Sequence, residues 1–192
     1  MMLANPIEEK DFTNINSKNF VAEWKWDGIR VQIILDDFNI KIFSRTGDDI
    51  TQTFPEIECP QKELAILDGE LLVGRDYIPM NFNTLQQRLN RKKVSQKHID
   101  DFPAFVKLYD ILYLNNEDLR EKNWDERRAI LQSWYCKNKN RFFDLSKIIN
   151  FNSWKNLAEI RKNEIIDDQH EGLMIKSKYS PYISGRPKGH WY

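Results

Sequence analysis

Lys25 sits in the segment Glu23-Trp24-Lys25-Trp26-Asp27-Gly28-Ile29-Arg30, where an amine stands at the end of an apolar run just before an Asp-Gly turn. A lysine amine is a nucleophile only when neutral, and with an ordinary pKa near about 10.4 only about one in a few thousand is neutral at pH 7. The strand end and turn hold the amine in place, and a positive surrounding field favours its neutral form. Arg30, Arg45, Lys176 and a metal ion are the candidates for that field. The chemistry they would serve is covalent catalysis at the amine. Taken alone, the same lysine reads as a surface residue on a half-exposed strand, because short motifs match by chance.

Further chemistry-bearing residues follow in order along the chain. Phe43-Ser44-Arg45-Thr46-Gly47 comes after a second apolar run, and Leu67-Asp68-Gly69-Glu70-Leu71 sets two acids around a glycine. Leu108-Tyr109-Asp110-Ile111-Leu112 places an aromatic-acid pair inside a long apolar stretch, and Glu171-Gly172-Leu173-Met174-Ile175-Lys176 ends the series. Each has a plain structural reading: a cross-strand ion pair for Arg30, a turn residue for Arg45, a core aromatic for Tyr109, a solvent-facing strand carboxylate for Glu23, and strand-end acids paired with a basic neighbour for Glu70 and Glu171.

Together, Lys25-Trp26-Asp27-Gly28-Ile29-Arg30 and the four later segments resemble the ordered motifs of covalent nucleotidyltransferases, the DNA ligases, RNA ligases and mRNA-capping enzymes. Met2-Leu3-Ala4-Asn5-Pro6, Phe82 to Leu89 and Glu126-Arg127-Arg128-Ala129 are similar to segments of ATP-dependent DNA ligases of archaeal and bacterial type. The resemblance implies that Lys25 attacks the α-phosphorus of ATP and forms a lysyl-AMP, storing the adenylyl group for a DNA 5′-phosphate. It implies that Glu23 reads the adenine edge, that Arg30 and Arg45 hold ribose and phosphate, and that Tyr109 stacks on the base, where phenylalanine is more usual. Glu70 would bind ribose or help place metal, Glu171 would hold Mg²⁺ with the phosphates, and Lys176 would contact the α-phosphate. Asp27 and Asp68 are expected to fix turns and neighbouring charges. The implied partner is nicked double-stranded DNA, in repair, replication or recombination.

The elements that must position these residues are legible as periodicity. Val21 to Trp26 alternates, with Val21, Glu23 and Lys25 on one face. Ile29 to Leu35 and Ile40 to Phe43 flank a turn at Asp36-Asp37-Phe38-Asn39, and Ala65 to Asp68 and Glu70 to Val73 flank Gly69. Tyr77 to Met80 is expected to pair back. Asn83 or Thr84 is predicted to cap a short helix carrying Leu85 and Leu89, which runs into Arg88, Asn90, Arg91, Lys92 and Lys93. Ala104 to Leu114 reads as a central strand. Trp124 to Tyr135 is predicted helical with Ala129, Ile130, Leu131 and Trp134 inward. A second helix, capped by Ser153, runs from Trp154 to about Ile166 with Leu157, Ala158 and Ile160 inward. Gly172 to Lys178 is a last strand, followed by a loop from Ser180 to Gly189. Strands mixed irregularly with helices indicate an α+β fold of antiparallel sheets flanked by helices, and the resemblance implies the nucleotidyltransferase (ATP-grasp-like) adenylation domain of DNA ligases.

Composition bounds the rest. With 192 residues, 41% hydrophobic and 30% charged, the chain can bury a core and is not a disordered tail. Its 29 basic and 29 acidic residues cancel, so phosphate binding must be local or partly supplied elsewhere. Cys59 and Cys136 form neither a zinc framework nor a disulfide scaffold, and His98, His170 and His190 lack metal-ligand spacing. There is no membrane-length apolar run and no signal-peptide pattern, so a cytoplasmic monomer is expected. Residues 1–192 are expected to be an adenylation domain incomplete at its C-terminus. His190-Trp191-Tyr192 stands where the family has aromatics before a final Lys-x-Lys, and the OB-fold and the N-terminal DNA-binding domain are expected to be absent. The competing readings are an inactive or partly active remnant that only binds nucleotide, and an RNA ligase or capping-type enzyme.

Overall fold

β-branched runs separated by Asp, Asn and Gly turns fold into two antiparallel-based sheets, one in each of two units of the chain. The computed structural model describes residues 1–58, 62–89, 93–164 and 170–192. In chain order the elements are α1 (Glu9–Asn14), β1 (Phe20–Trp26), β2 (Ile29–Asp36), β3 (Asn39–Ser44), β4 (Ala65–Arg75), β5 (Ile78–Pro79), α2 (Phe82–Gln86), α3 (Gln96–Asp101), β6 (Ala104–Leu114), β7 (Glu117–Asp118), α4 (Trp124–Lys137), β8 (Phe143–Leu145), β9 (Ile148–Ile149), α5 (Trp154–Glu164) and β10 (His170–Ser177). None of these helices is long and apolar enough to cross a membrane.

The first unit comprises Met1–Trp26, Arg120–Glu126 and Ser146–Tyr192. Its sheet runs β10-β1-β9, all antiparallel. Phe20, Ala22, Leu157 and Ile175 form its buried centre, with Phe12, Phe151, Trp154 and Tyr192 packed around them. Leu157 faces inward on α5, but Ala158 is exposed and Ile160 only half-buried, so the buried stripe is narrower than the periodicity predicts. The predicted helix end near Ile166 lies outside the described residues. The N-terminal segment is pinned across this unit: Leu3 N donates to Gly185 O at 2.7 Å, and Asn5 N to Trp191 O at 2.9 Å.

The second unit comprises Asp27–Leu119 and Arg127–Leu145. Its sheet runs β3-β2-β4-β6-β7, with β5 paired to β4 and β8 running parallel beside β6. β4 passes unbroken through Gly69 as one strand of 11 residues. The hairpin turn between β2 and β3 has positive φ at Asp37 and Phe38, which matches the twist of paired strands. The β4–β6 register slips twice. Asp68 faces Asp110 and Gly69 faces Leu108, which makes Tyr109 the bulge residue of β6. A bulge re-aims side chains, and here Tyr109 and Asp110 are sent to different partners.

Helix α2 is capped by Asn81, whose side chain accepts from Thr84 N, rather than by Asn83 or Thr84. Arg88, read from sequence as the start of a basic run, is fully buried. It donates to both Glu56 carboxylate oxygens at 2.6 and 2.9 Å and to the carbonyls of Thr53 and Phe102. Asn90, Arg91 and Lys92 lie outside the described residues. On α4, Leu131 and Trp134 are buried as predicted, whereas Ala129 is exposed and the arginines turn inward. Arg127 donates from Nε and Nη2 to Asp110 at 2.8 and 2.9 Å, with both residues buried. Breaking a buried pair from one side leaves an uncompensated charge. Arg127→Leu is therefore expected to destabilise the protein by about 3–5 kcal/mol in chemical denaturation, while Asp125→Ala, an exposed neighbour, changes little.

Candidate active site

In the first unit the candidate residues are carried by β1 and β10. Glu23 and Lys25 lie on one face of β1, but burial falls off along it: Glu23 is 1% exposed, while Lys25 is open to solvent. Opposite them, Glu23 faces Met174, Lys25 faces Gly172 and Trp26 faces His170. Glu171 is skipped, so it is the bulge residue of β10. Gly172 beside it has φ +148°, a conformation L side chains rarely adopt, which accounts for a glycine after the acid. The bulge turns Glu171 towards the amine, and Lys25 Nζ donates to Glu171 Oε2. Both side chains are about half exposed, at 48% and 47%. The partner of this amine is thus negative, not one of the cations that the sequence suggests.

Four residues further along β10 from the skipped acid's neighbour, the arrangement inverts. Lys176 Nζ donates to Glu23 Oε1 at 3.0 Å with both groups buried. Around the strand ends, the His170 ring packs 4.5 Å from Trp24 and 5.0 Å from Trp26 between centroids, and the Trp26 indole N–H reaches Ser146 Oγ at 3.3 Å. Sequence reasoning did not single out His170, Ser146 or Trp191 for this site. A π-rich strand end bracketing a lysine is the signal that could have raised them.

In the second unit Gly28 immediately precedes β2. A Cβ there would lie 2.6 Å from Leu71 O and 2.7 Å from a Leu72 methyl, so the Asp-Gly turn admits no side chain. Arg30 binds Asp68 bidentately, Nε to Oδ1 at 3.1 Å and Nη2 to Oδ2 at 2.7 Å. The Tyr109 hydroxyl donates to the same Asp68 Oδ1 at 3.3 Å, and the Arg30 guanidinium lies 5.9 Å from the Tyr109 ring centroid. Asp68, with no exposed surface, therefore orients two candidate residues at once. Glu70 faces Arg30 on one side and Lys107 on the other, and Lys107 Nζ meets Asp144 Oδ2 at 2.6 Å. Lys107 and Asp144 were not anticipated; a lysine two residues before Tyr109 in an otherwise apolar run is the visible signal. Arg45 stands exposed in the turn after β3. That turn is braced by hydrogen bonds from Gly47 N to Ser44 O at 3.0 Å and from Ser44 N to Asp48 O at 2.9 Å.

A divalent cation of the Mg²⁺ type takes one or two carboxylates together with phosphate oxygens and water. Among the described residues no group of three or more His, Cys, Asp or Glu side chains gathers. Glu171, an exposed carboxylate touching a lysine, suits a cation that brings its other ligands on a nucleotide.

Antiparallel sheets with few helices match the fold of ATP-dependent DNA ligase adenylation domains. The profile of the ATP dependent DNA ligase domain matches residues 1–192, and the chain belongs to that family. It is 34% identical to the DNA ligase of Archaeoglobus fulgidus over 197 residues, covering 100% of this chain and 34% of that protein. It is 29% identical to a probable DNA ligase of Koribacter versatilis, covering 99% of this chain and 37% of that protein. Among solved structures it resembles mycobacterial DNA ligase D complexed with ATP and MES, with TM-score 0.77 and 22% identity over 99% of this chain and 57% of that one. The ATP-dependent DNA ligase of bacteriophage T7 in complex with ATP superposes with TM-score 0.66 and 20% identity, over 99% of this chain and 66% of that one. The chain thus spans about a third of the length of these curated relatives.

The turn that carries Arg45 also contains Asp49, whose carboxyl is held below the usual carboxylate range. The Thr51 hydroxyl, then its amide, then Lys41 lower the Asp49 pKa from 3.8 to about 2. A depressed carboxylate stabilises the fold above its ordinary pKa and loses that contribution as pH falls towards the folded value. NMR titration of Thr51→Val should show the Asp49 carboxyl moving up towards 3.8, with the acid-side stability loss from this group becoming smaller and complete at a higher pH.

Proposed function

We propose that this chain carries out the nucleotide-activation step of ATP-dependent DNA strand joining, with Lys25 as the nucleophile. The neutral Lys25 amine attacks the α-phosphorus of ATP; a P–N bond forms, the bond to the β-phosphate oxygen breaks, and pyrophosphate leaves. The adenylyl group then passes to the 5′-phosphate at a nick, and attack by the 3′-hydroxyl seals the strand with release of AMP. The observation that carries this reading is the Lys25–Glu171 contact set by the β10 bulge, in a chain of this family.

Each remaining residue is assigned a role supported within its own unit. Glu171 is the carboxylate for Mg²⁺, and a cation drawing it away would leave the amine free to lose its proton. Lys176 offsets charge developing on the α-phosphate, and Glu23 reads the adenine edge. Arg30, already oriented by Asp68, and the exposed Arg45 hold ribose and phosphate, since guanidinium forks match phosphate oxygens. Tyr109 offers its ring to the base, and Glu70 binds the ribose or helps place the metal. Residues 1–192 are read as the adenylation domain of a cytoplasmic, monomeric protein whose macromolecular substrate is nicked duplex DNA.

Incubation with Mg²⁺ and α-labelled ATP tests the reading directly. Wild type should retain label on the denatured protein that is stable to alkali and released by acid, Lys25→Ala none, and Glu171→Gln should label roughly 10²–10³ times more slowly. Label surviving in Lys25→Ala would remove the nucleophile assignment. Preferential labelling by GTP would favour a capping-type enzyme, and no label in any form would favour a nucleotide-binding remnant.

A further inference from the structure

We propose that Trp191 is a positioning residue for Lys176, holding the ammonium on its indole face so that its charge stays available for a phosphate. The inference rests on the reading that Lys176 meets the α-phosphate. Lys176 Nζ lies 4.7 Å from the Trp191 ring centroid, and the two residues are 2% and 1% exposed. Their meeting is fixed by backbone. Lys176 and Trp191 face each other in an antiparallel bridge, and Ile175 and Tyr192 exchange both N–H···O bonds at 2.8 Å. Ser177 N adds a third bond, to His190 O, at 2.8 Å.

Trp191 is itself held from behind. The Tyr182 ring packs edge-on against it at 5.9 Å and 84°, and the Met2 amide donates to the Tyr182 hydroxyl at 3.1 Å. Asn5 N binds the Trp191 carbonyl at 2.9 Å, and Met2 is fully buried. A π face attracts a cation through its quadrupole without neutralising it, most strongly where water is excluded. Glu23, by contrast, answers the lysine with a full opposite charge at 3.0 Å. A buried ammonium with both neighbours can exchange the carboxylate for a phosphate oxygen while the indole keeps it in place.

The test is single-turnover labelling of Lys25 by α-labelled ATP at saturating nucleotide and Mg²⁺, with thermal melts on every variant. Trp191→Leu should slow labelling roughly ten- to thirty-fold, and Trp191→Phe, which keeps a π face, should recover most of the rate. In a Lys176→Gln background, which retains a donor for Glu23, Trp191→Leu should change the rate by less than about two-fold, because the two residues act as one unit. Should Trp191→Leu fail to fold, Trp191→Met against Trp191→Phe makes the same comparison of bulk with and without a ring. Equal slowing by the Trp191 variant in both backgrounds, or no slowing in either, overturns the inference while leaving the Lys176 role standing. Wild-type labelling by Lys176→Gln overturns both that role and the inference built on it.

Discussion

Glu23 and Lys176 are both taken out of water, and a carboxylate or ammonium left alone there would cost several kcal/mol. Their 3.0 Å contact offsets that penalty only in the β1–β10 register that sets Lys176 opposite Val21, diagonal to Glu23 on the same face. A slip of one residue would turn every side chain of a strand to its other face. The buried pair therefore does more than satisfy itself: it determines which residue of β10 comes level with Lys25. Two strand positions beyond, the bulge at Glu171 and the positive φ of Gly172 complete the setting. The nucleophile candidate is thereby aimed by charges that are themselves inaccessible.

The same device recurs in the second unit. Asp68 takes Arg30, Asp110 takes Arg127, Glu56 takes Arg88 and Asp144 takes Lys107, each with little or no exposed surface on at least one partner. Such pairs add modest net stability but are costly to break singly. They specify geometry more than they strengthen the fold. These pairs and Glu23–Lys176 take five of the 29 basic and five of the 29 acidic residues, one for one, and so leave the net charge unchanged.

The chemistry follows from where pairing stops. Lys25 and Glu171 share an ion pair that is half open to solvent, and on the function proposed above either would change partner when a nucleotide and a cation arrive. Lys176 sits deeper, in contact with groups of different kind, a carboxylate and an indole among them. An accessible pair suits a group that must react, and an enclosed cation suits a group that must stay charged and still.

How much of this is legible in the residues follows from distance along the chain. Alternation placed Glu23 and Lys25 on one face, Asp-Gly turns ended β1, and the order of the five motifs determined the family and the α+β class, because these signals act between near neighbours or survive as residue types. The inward turn of Arg88 and Arg127, the exposure of Ala129, the bulges at Tyr109 and Glu171 and the meeting of Trp191 with Lys176 were decided only by the tertiary structure. Each depends on which residue of a distant strand or helix arrives opposite, and a local period carries no record of that. Lys107 shows the difference plainly: its place two residues before Tyr109 can be read, but its partner Asp144 lies on β8 and is reached only when that strand docks parallel to β6.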